Sequence, residues 1–195
     1  MLRLRLFRSF GSLVGALLIA SCAAPDLANP TAPLASGIPT AADLSGPSLR
    51  AVSWKEPLAG PVVVSKTINE FGGTISIPQT GLTIDFPAGA VSSAVTVTVT
   101  ADARYVAYKM EPAGTQFGKD VRVTQALSAT SLSSLPLGSS LYAAYIADDG
   151  VDLSGILPVL EILPSNTVFS LLPPLVPQVE VWSIRHFSRY ILASG

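Results

Sequence analysis

From residue 61 to the C-terminus, apolar and polar positions alternate with a period of two. In AVTVTVT, Val95, Val97 and Val99 alternate with Thr96, Thr98 and Thr100, and in GLTIDF the residues Leu82, Ile84 and Phe86 share one face. Period two with β-branched residues is the pattern of half-buried strands. Val62 opens such a segment, GGTISI (72–77) is another, and further strands are predicted over Tyr105–Met110, Val121–Leu127, Leu141–Ile146, Val159–Leu163, Thr167–Leu171, Val179–Ile184 and Tyr190–Ala193. Gly, Pro, Asn or Asp punctuates most of the intervals. No segment carries a helical stripe over about ten residues, and no repeat of about 20 to 50 residues suggests a solenoid or propeller. The expectation is an all-β protein, an antiparallel β-sandwich over 61–195, long enough for one hydrophobic core.

Before that domain the pattern is absent. Residues 22–60 are rich in Pro, Ala and Ser without sustained periodicity, which reads as a flexible tether. The first 21 residues begin with Arg3, Arg5 and Arg8 and continue into an apolar run from Phe10 to Ala20, the layout of a secretory signal peptide. A membrane span needs roughly 20 apolar residues, so this shorter run is expected to be cleaved. The boundary Ile19-Ala20-Ser21-Cys22 resembles a bacterial lipobox, which implies a diacylglyceryl group on Cys22. Acyl chains contribute about 0.8 kcal/mol per buried methylene, so several of them would anchor the chain to a membrane through Cys22. Ala23 stands where an aspartate would resemble an inner-membrane retention signal. The expected location is therefore the bacterial cell envelope, and the outer membrane in a cell with two.

Cys22 is the only cysteine, which removes an intramolecular disulfide framework and cysteine-based metal sites. Loss of residues 1–21 removes three arginines and no acid, moving the balance from 12 basic against 13 acidic to 9 against 13. Nucleic-acid binding requires a basic patch that this chain lacks. An unidentified protein or glycan is the partner class left, and no cofactor is implied.

Three stretches carry a family resemblance: EFGGTISIPQTGLTIDFPAGAV (70–91), MEPAGTQFGKDVRV (110–123) and the near-terminal RHFSRY. In that order and at comparable spacing they resemble the ZU-five domain, a β-sandwich shared by zona-occludens scaffolds, netrin receptors, ankyrins and PIDD-type death-domain proteins, and found in bacterial surface proteins. Asp120 replaces a proline common at that point of the pattern. The resemblance implies a β-sandwich over nearly all of the domain, used as an interaction or structural module.

It also singles out His186-Phe187-Ser188, a triplet at which PIDD-type proteins and an unrelated nucleoporin cleave themselves. Carried over, Ser188 would attack the Phe187 carbonyl to form an ester that water hydrolyses, with His186 assisting proton transfer; neighbouring reactants lower the entropic barrier. In a regular strand the Cα atoms of His186 and Ser188 lie roughly 6.5 Å apart, so the reaction requires a bulge or turn at Phe187. The alternative reading is structural: an inward-facing histidine bonded to a backbone carbonyl, on the same face as Trp182, Ile184, Tyr190 and Leu192. A cut here would release only Ser188 to Gly195, with no downstream domain to free, and the structural reading is the expectation.

Other candidates carry less. Asp148, Asp149 and Asp152 suggest calcium but lack the spacing of a helix-loop-helix site, and Asp149-Gly150 fits a hairpin turn. Glu111 and Glu161 lack a carboxylate partner for hydrolysis. The glycines match turns rather than a phosphate loop. Tyr105, Tyr108, Tyr142 and Tyr145 are spaced by three within strands, which divides them between core and outer surface rather than forming one glycan platform. The apolar, proline-interrupted stretch 170–181 reads as a core crossover or else an edge or docking loop. The function expected is a membrane-anchored, noncatalytic module, with self-processing and a calcium- or glycan-binding adhesin as alternatives.

Overall fold

The computed structural model describes residues 48–134, 140–146, 150–171 and 176–195. Two antiparallel sheets pack face to face. In chain order the strands are β1 (Arg50–Ala51), β2 (Val62–Ile68), β3 (Gly73–Ile77), β4 (Leu82–Phe86), β5 (Val95–Ala101), β6 (Ala107–Glu111), β7 (Gln116–Ala126), β8 (Leu141–Ile146), β9 (Glu161–Leu163), β10 (Ser165–Phe169), β11 (Pro177–His186) and β12 (Arg189–Ser194), with one 3-10 turn at Ser131–Ser134. One sheet runs β2-β5-β6-β12-β8-β9, with β1 also paired to β12; the other runs β10-β11-β7-β4-β3. The all-β sandwich expected from the alternation is the observed architecture.

The alternation accounts for the core. Leu82, Ile84 and Phe86 on β4 and Val97, Val99 and Ala101 on β5 are buried and meet between the sheets. A second cluster covers the outer side of the larger sheet, where Leu49, Leu153 and Leu157 pack on Ala144, Ile146, Ile191 and Ala193. This explains why four consecutive residues of β12, Tyr190 to Ala193, are all buried: Tyr190 and Leu192 face the main core, Ile191 and Ala193 the second. The tyrosines divide as their spacing predicts, Tyr108 and Tyr145 on the main core, Tyr105 and Tyr142 on the second.

The stretch read as tether up to Gly60 joins the fold sooner. Leu49, Val52 and Trp54 are buried, β1 pairs with β12, and the Val52 N–H donates to the Leu192 carbonyl at 2.9 Å. Trp54 Nε1 donates to the Asp102 carbonyl at 2.9 Å. A two-residue strand is too short to display alternation, so these residues are held by partners distant in sequence rather than by a local pattern. The signal segment 1–21, Cys22 and the rest of the tether to residue 47 lie outside the described residues.

Polar groups also cross the core. The Tyr108 hydroxyl on β6 donates to Gln125 Oε1 on β7, while Gln125 Nε2 donates to the Thr80 and Ala126 carbonyls at 2.6 and 2.7 Å. Tyr108 and Gln125 are fully buried, and burial raises the Tyr108 phenol above its ordinary pKa. Hydrogen bonds between the two sheets fix their relative register in a way apolar contact alone does not.

Candidate functional site

His186 ends β11 in the smaller sheet and Arg189 begins β12 in the larger one, so Phe187 and Ser188 carry the chain between the two sheets. The ladder breaks just before: Ile184 pairs with Val121, whereas His186 pairs with Gln116, a register shift within β11–β7. That irregularity lies before Phe187; Phe187 itself leaves the ladder and Ser188 bends toward the other sheet, so the triplet does not run as a straight strand. Along β11 the buried Trp182 and Ile184 alternate with the exposed Ser183 and Arg185, and His186 follows their phase half-buried.

Phe187 anchors the crossover. Its ring is 1 % exposed and lies edge-on to Phe117 at 4.7 Å and tilted to Phe86 at 6.0 Å, while Phe86 and Phe117 meet at 5.8 Å. Such aromatic contacts add to the stabilisation from area burial alone. The Phe187 N–H donates to the Thr115 carbonyl at 3.0 Å, and the Phe187 carbonyl accepts the Gly114 N–H at 3.0 Å. One residue on, the Ser188 carbonyl accepts the Met110 N–H at 2.9 Å. Gly114 has φ +79°, the left-handed conformation that glycine adopts without a side-chain penalty.

Stretches far apart in sequence thus meet at one place. PAGT (112–115) supplies main-chain partners for Phe187, while Phe86 of FPAG and Phe117 of TQFG supply its aromatic neighbours. Gly72 lies against the same knot: a Cβ there would stand 2.2 Å from the Phe86 carbonyl oxygen, so no other residue fits without moving the backbone. The sequence marked these residues one by one as turn and motif positions; their mutual contact had no local signal.

His186 packs among tyrosines. Its ring lies 5.3 Å from that of Tyr145 and 6.0 Å from that of Tyr190. The Tyr190 hydroxyl donates to the His186 carbonyl at 2.7 Å and stands 3.3 Å from Nδ1, which is 3.4 Å from the Phe187 carbonyl oxygen. With the tyrosine proton directed at the carbonyl, an Nδ1–H tautomer suits both contacts. Burial, followed by the charges of Glu161 and Tyr145, raises the Tyr190 phenol well above its ordinary pKa. Among the described residues, no hydrogen bond links Ser188 Oγ to His186.

The remaining candidates disperse. Asp148 and Asp149 lie outside the described residues, while Asp152 accepts from the Ser154 N–H and hydroxyl, which lowers its pKa. Among the described residues, no three His, Cys, Asp or Glu side chains gather as a metal site. Glu111 pairs with Lys109 at 3.5 Å, and Glu161 begins β9. Sequence reading missed Glu180 on β11, fully buried with the Thr167 hydroxyl on one carboxylate oxygen at 2.5 Å; the other oxygen and the nearby Trp182 Nε1 have no hydrogen-bond partner. A glutamate in an alternating strand signals only its face, and which face is inner depends on the packed sheets.

No protein-family model matches this chain, and no curated protein matches it. Among the described residues, no helix is long and apolar enough to cross a membrane.

Proposed function

We propose that this chain is a bacterial lipoprotein, anchored to the cell envelope through lipid on Cys22, whose ZU-five-like sandwich is a noncatalytic interaction or structural module. The anchor reading is supported by the arginine-led apolar run and the small residues before the lone cysteine. The noncatalytic reading is carried by one observation: both main-chain groups of Phe187 are held by Gly114 and Thr115, while Ser188 Oγ lacks a hydrogen bond to the histidine that would take its proton. A nucleophile that makes no hydrogen bond to a base is poorly activated.

One feature favours the self-processing reading. The Gly114 N–H and the imidazole Nδ1 both face the Phe187 carbonyl oxygen, at 3.0 and 3.4 Å, where negative charge would develop during attack. In that reaction Ser188 Oγ adds to the Phe187 carbonyl carbon, the C–N bond breaks as the proton passes to nitrogen, and water hydrolyses the ester to a Phe187 carboxylate and a Ser188 hydroxyl and amine. Because β12 pairs with β6, β8 and β1, a cut strand would remain in place, so the test is denatured intact mass after long incubation, beside Ser188→Ala. A single uncut mass in both is expected. Loss of the Ser188–Gly195 peptide from wild type alone would replace the noncatalytic reading with self-processing. Labelled fatty acid should enter the chain in bacteria and be absent from Cys22→Ser; equal labelling would remove the anchor.

A further inference from the structure

Among the described residues, five of the eight exposed large apolar side chains come from one short segment. Leu160, Ile162, Val168, Phe169 and Leu171 are 42 to 98 % exposed and lie on or beside β9 and β10. β9 is the outermost strand of the larger sheet and β10 that of the smaller one, and only Pro164 separates them, so both open edges lie on the same side of the sandwich. Five apolar side chains grouped at two sheet edges are unlike the scattered exposed residues that need no explanation.

The main chain there is open as well. β10 pairs with β11 on one side, and among the described residues no backbone hydrogen bond reaches Ser165–Phe169 from the other. Sheet edges are usually protected by lysines, prolines or a covering element. β10, SNTVF, has neither a charge nor a proline within it. At the opposite edge of the larger sheet, by contrast, β2 carries Lys66, whose ammonium donates to the Thr74 carbonyl at 2.7 Å.

Charge narrows the occupant. No lysine or arginine occurs between Arg122 and Arg185, and at the edge itself the charge is negative: Glu161 is exposed between Leu160 and Ile162. Arg122 borders only the Ser165 end of β10, in a hollow with Pro164 and Asn166. A second copy of this chain would bring like charge to like charge, and an anionic bilayer would meet no cation on the apolar strip. An extended segment that alternates apolar and basic residues matches all three features: it completes the ladder, covers Val168 and Phe169, and neutralises Glu161.

We infer that β10 is a docking edge at which an extended, apolar and basic segment of a partner protein adds as a sixth strand to the smaller sheet. The inference rests on the binding-module reading above and names where and what that module binds. The probe is a fluorescent peptide of alternating valine and lysine, titrated against the intact chain in nonionic detergent and read by anisotropy. Saturable binding is expected, at least tenfold weaker for Val168→Lys and Phe169→Lys and for a valine–glutamate peptide. Leu171→Lys, at a side chain 98 % exposed, extends the test to a position where misfolding does not intervene and should weaken binding at least threefold.

Absence of saturable binding, or equal binding by these variants, would overturn the docking edge. So would concentration-dependent dimers abolished by Phe169→Lys, which would assign the edge to a second copy, or cosedimentation with anionic vesicles abolished by it, which would assign the edge to a bilayer. The two readings fail separately. Lack of peptide binding by an uncut chain removes this edge alone, whereas mass loss at Phe187-Ser188 removes the noncatalytic module.

Discussion

β11 runs between two regions with opposite solutions to the same problem. At its His186 end the chain leaves one sheet for the other, and the turn is tied down: Thr115 and Gly114 meet both main-chain groups of Phe187, Met110 meets the Ser188 carbonyl, and three phenylalanines fill the space. Beside its other half lies β10, an edge strand with an open ladder and exposed Val168 and Phe169. Buried main-chain groups without partners are costly, so a crossover between sheets has to be closed, whereas an edge in water does not. The conspicuous histidine–serine motif therefore sits where distant segments hold the main chain, and the unremarkable stretch SNTVF where one side of the ladder is open.

The largest effect that separates the two regions is loss of a phenylalanine from each. Phe187→Ala should cost about 3–5 kcal/mol in denaturant unfolding, the range for removing a buried aromatic side chain. Phe169→Ala, half exposed, should stay within roughly 0.5 kcal/mol. Equal losses would mean that the edge is part of the core. Next in size is Gly72→Ala, where the left-handed backbone and the Phe86 carbonyl both oppose a Cβ; a loss of about 1–3 kcal/mol is expected.

Glu180 tests the edge half by pH. Burial, partly offset by hydrogen bonds from Ser165 and Thr167, raises its pKa above the ordinary 4.5. The folded state thus favours the protonated acid. The stability this contributes is fully present below the ordinary carboxylate pKa and is lost as pH rises through the raised folded value. Thermal melts of Glu180→Gln should lack that decline, and the variant should gain on wild type as pH increases; parallel melting curves across pH would show Glu180 to be solvated in the folded protein. Smallest of all, Arg185→Ala breaks the 2.6 Å contact with Asp120 on the exposed face, and its unfolding free energy should change by less than about 0.5 kcal/mol.

Alternation alone located the strands from Val62 onward, because a two-residue period is a local property that half-buried strands must display. It also placed Trp182, Ile184 and His186 in one phase. It missed β1, whose two residues are too few to show a period and which is held by β12 at the other end of the chain. The His-Phe-Ser triplet was legible as a motif, yet whether it is a straight ladder or a junction depended on the strands that β11 and β12 join.

The sequence by itself determined the strand phases and the turn glycines, since each depends on residues close together in the chain. Only the tertiary structure decided that Phe86, Phe117 and Phe187 form one knot, that Glu180 is inside, and that β10 is an edge. Those properties depend on which strand lies beside which. Strand order is set by contacts between segments far apart in sequence, and a two-residue period tells a strand which side to bury without telling it which neighbour to take.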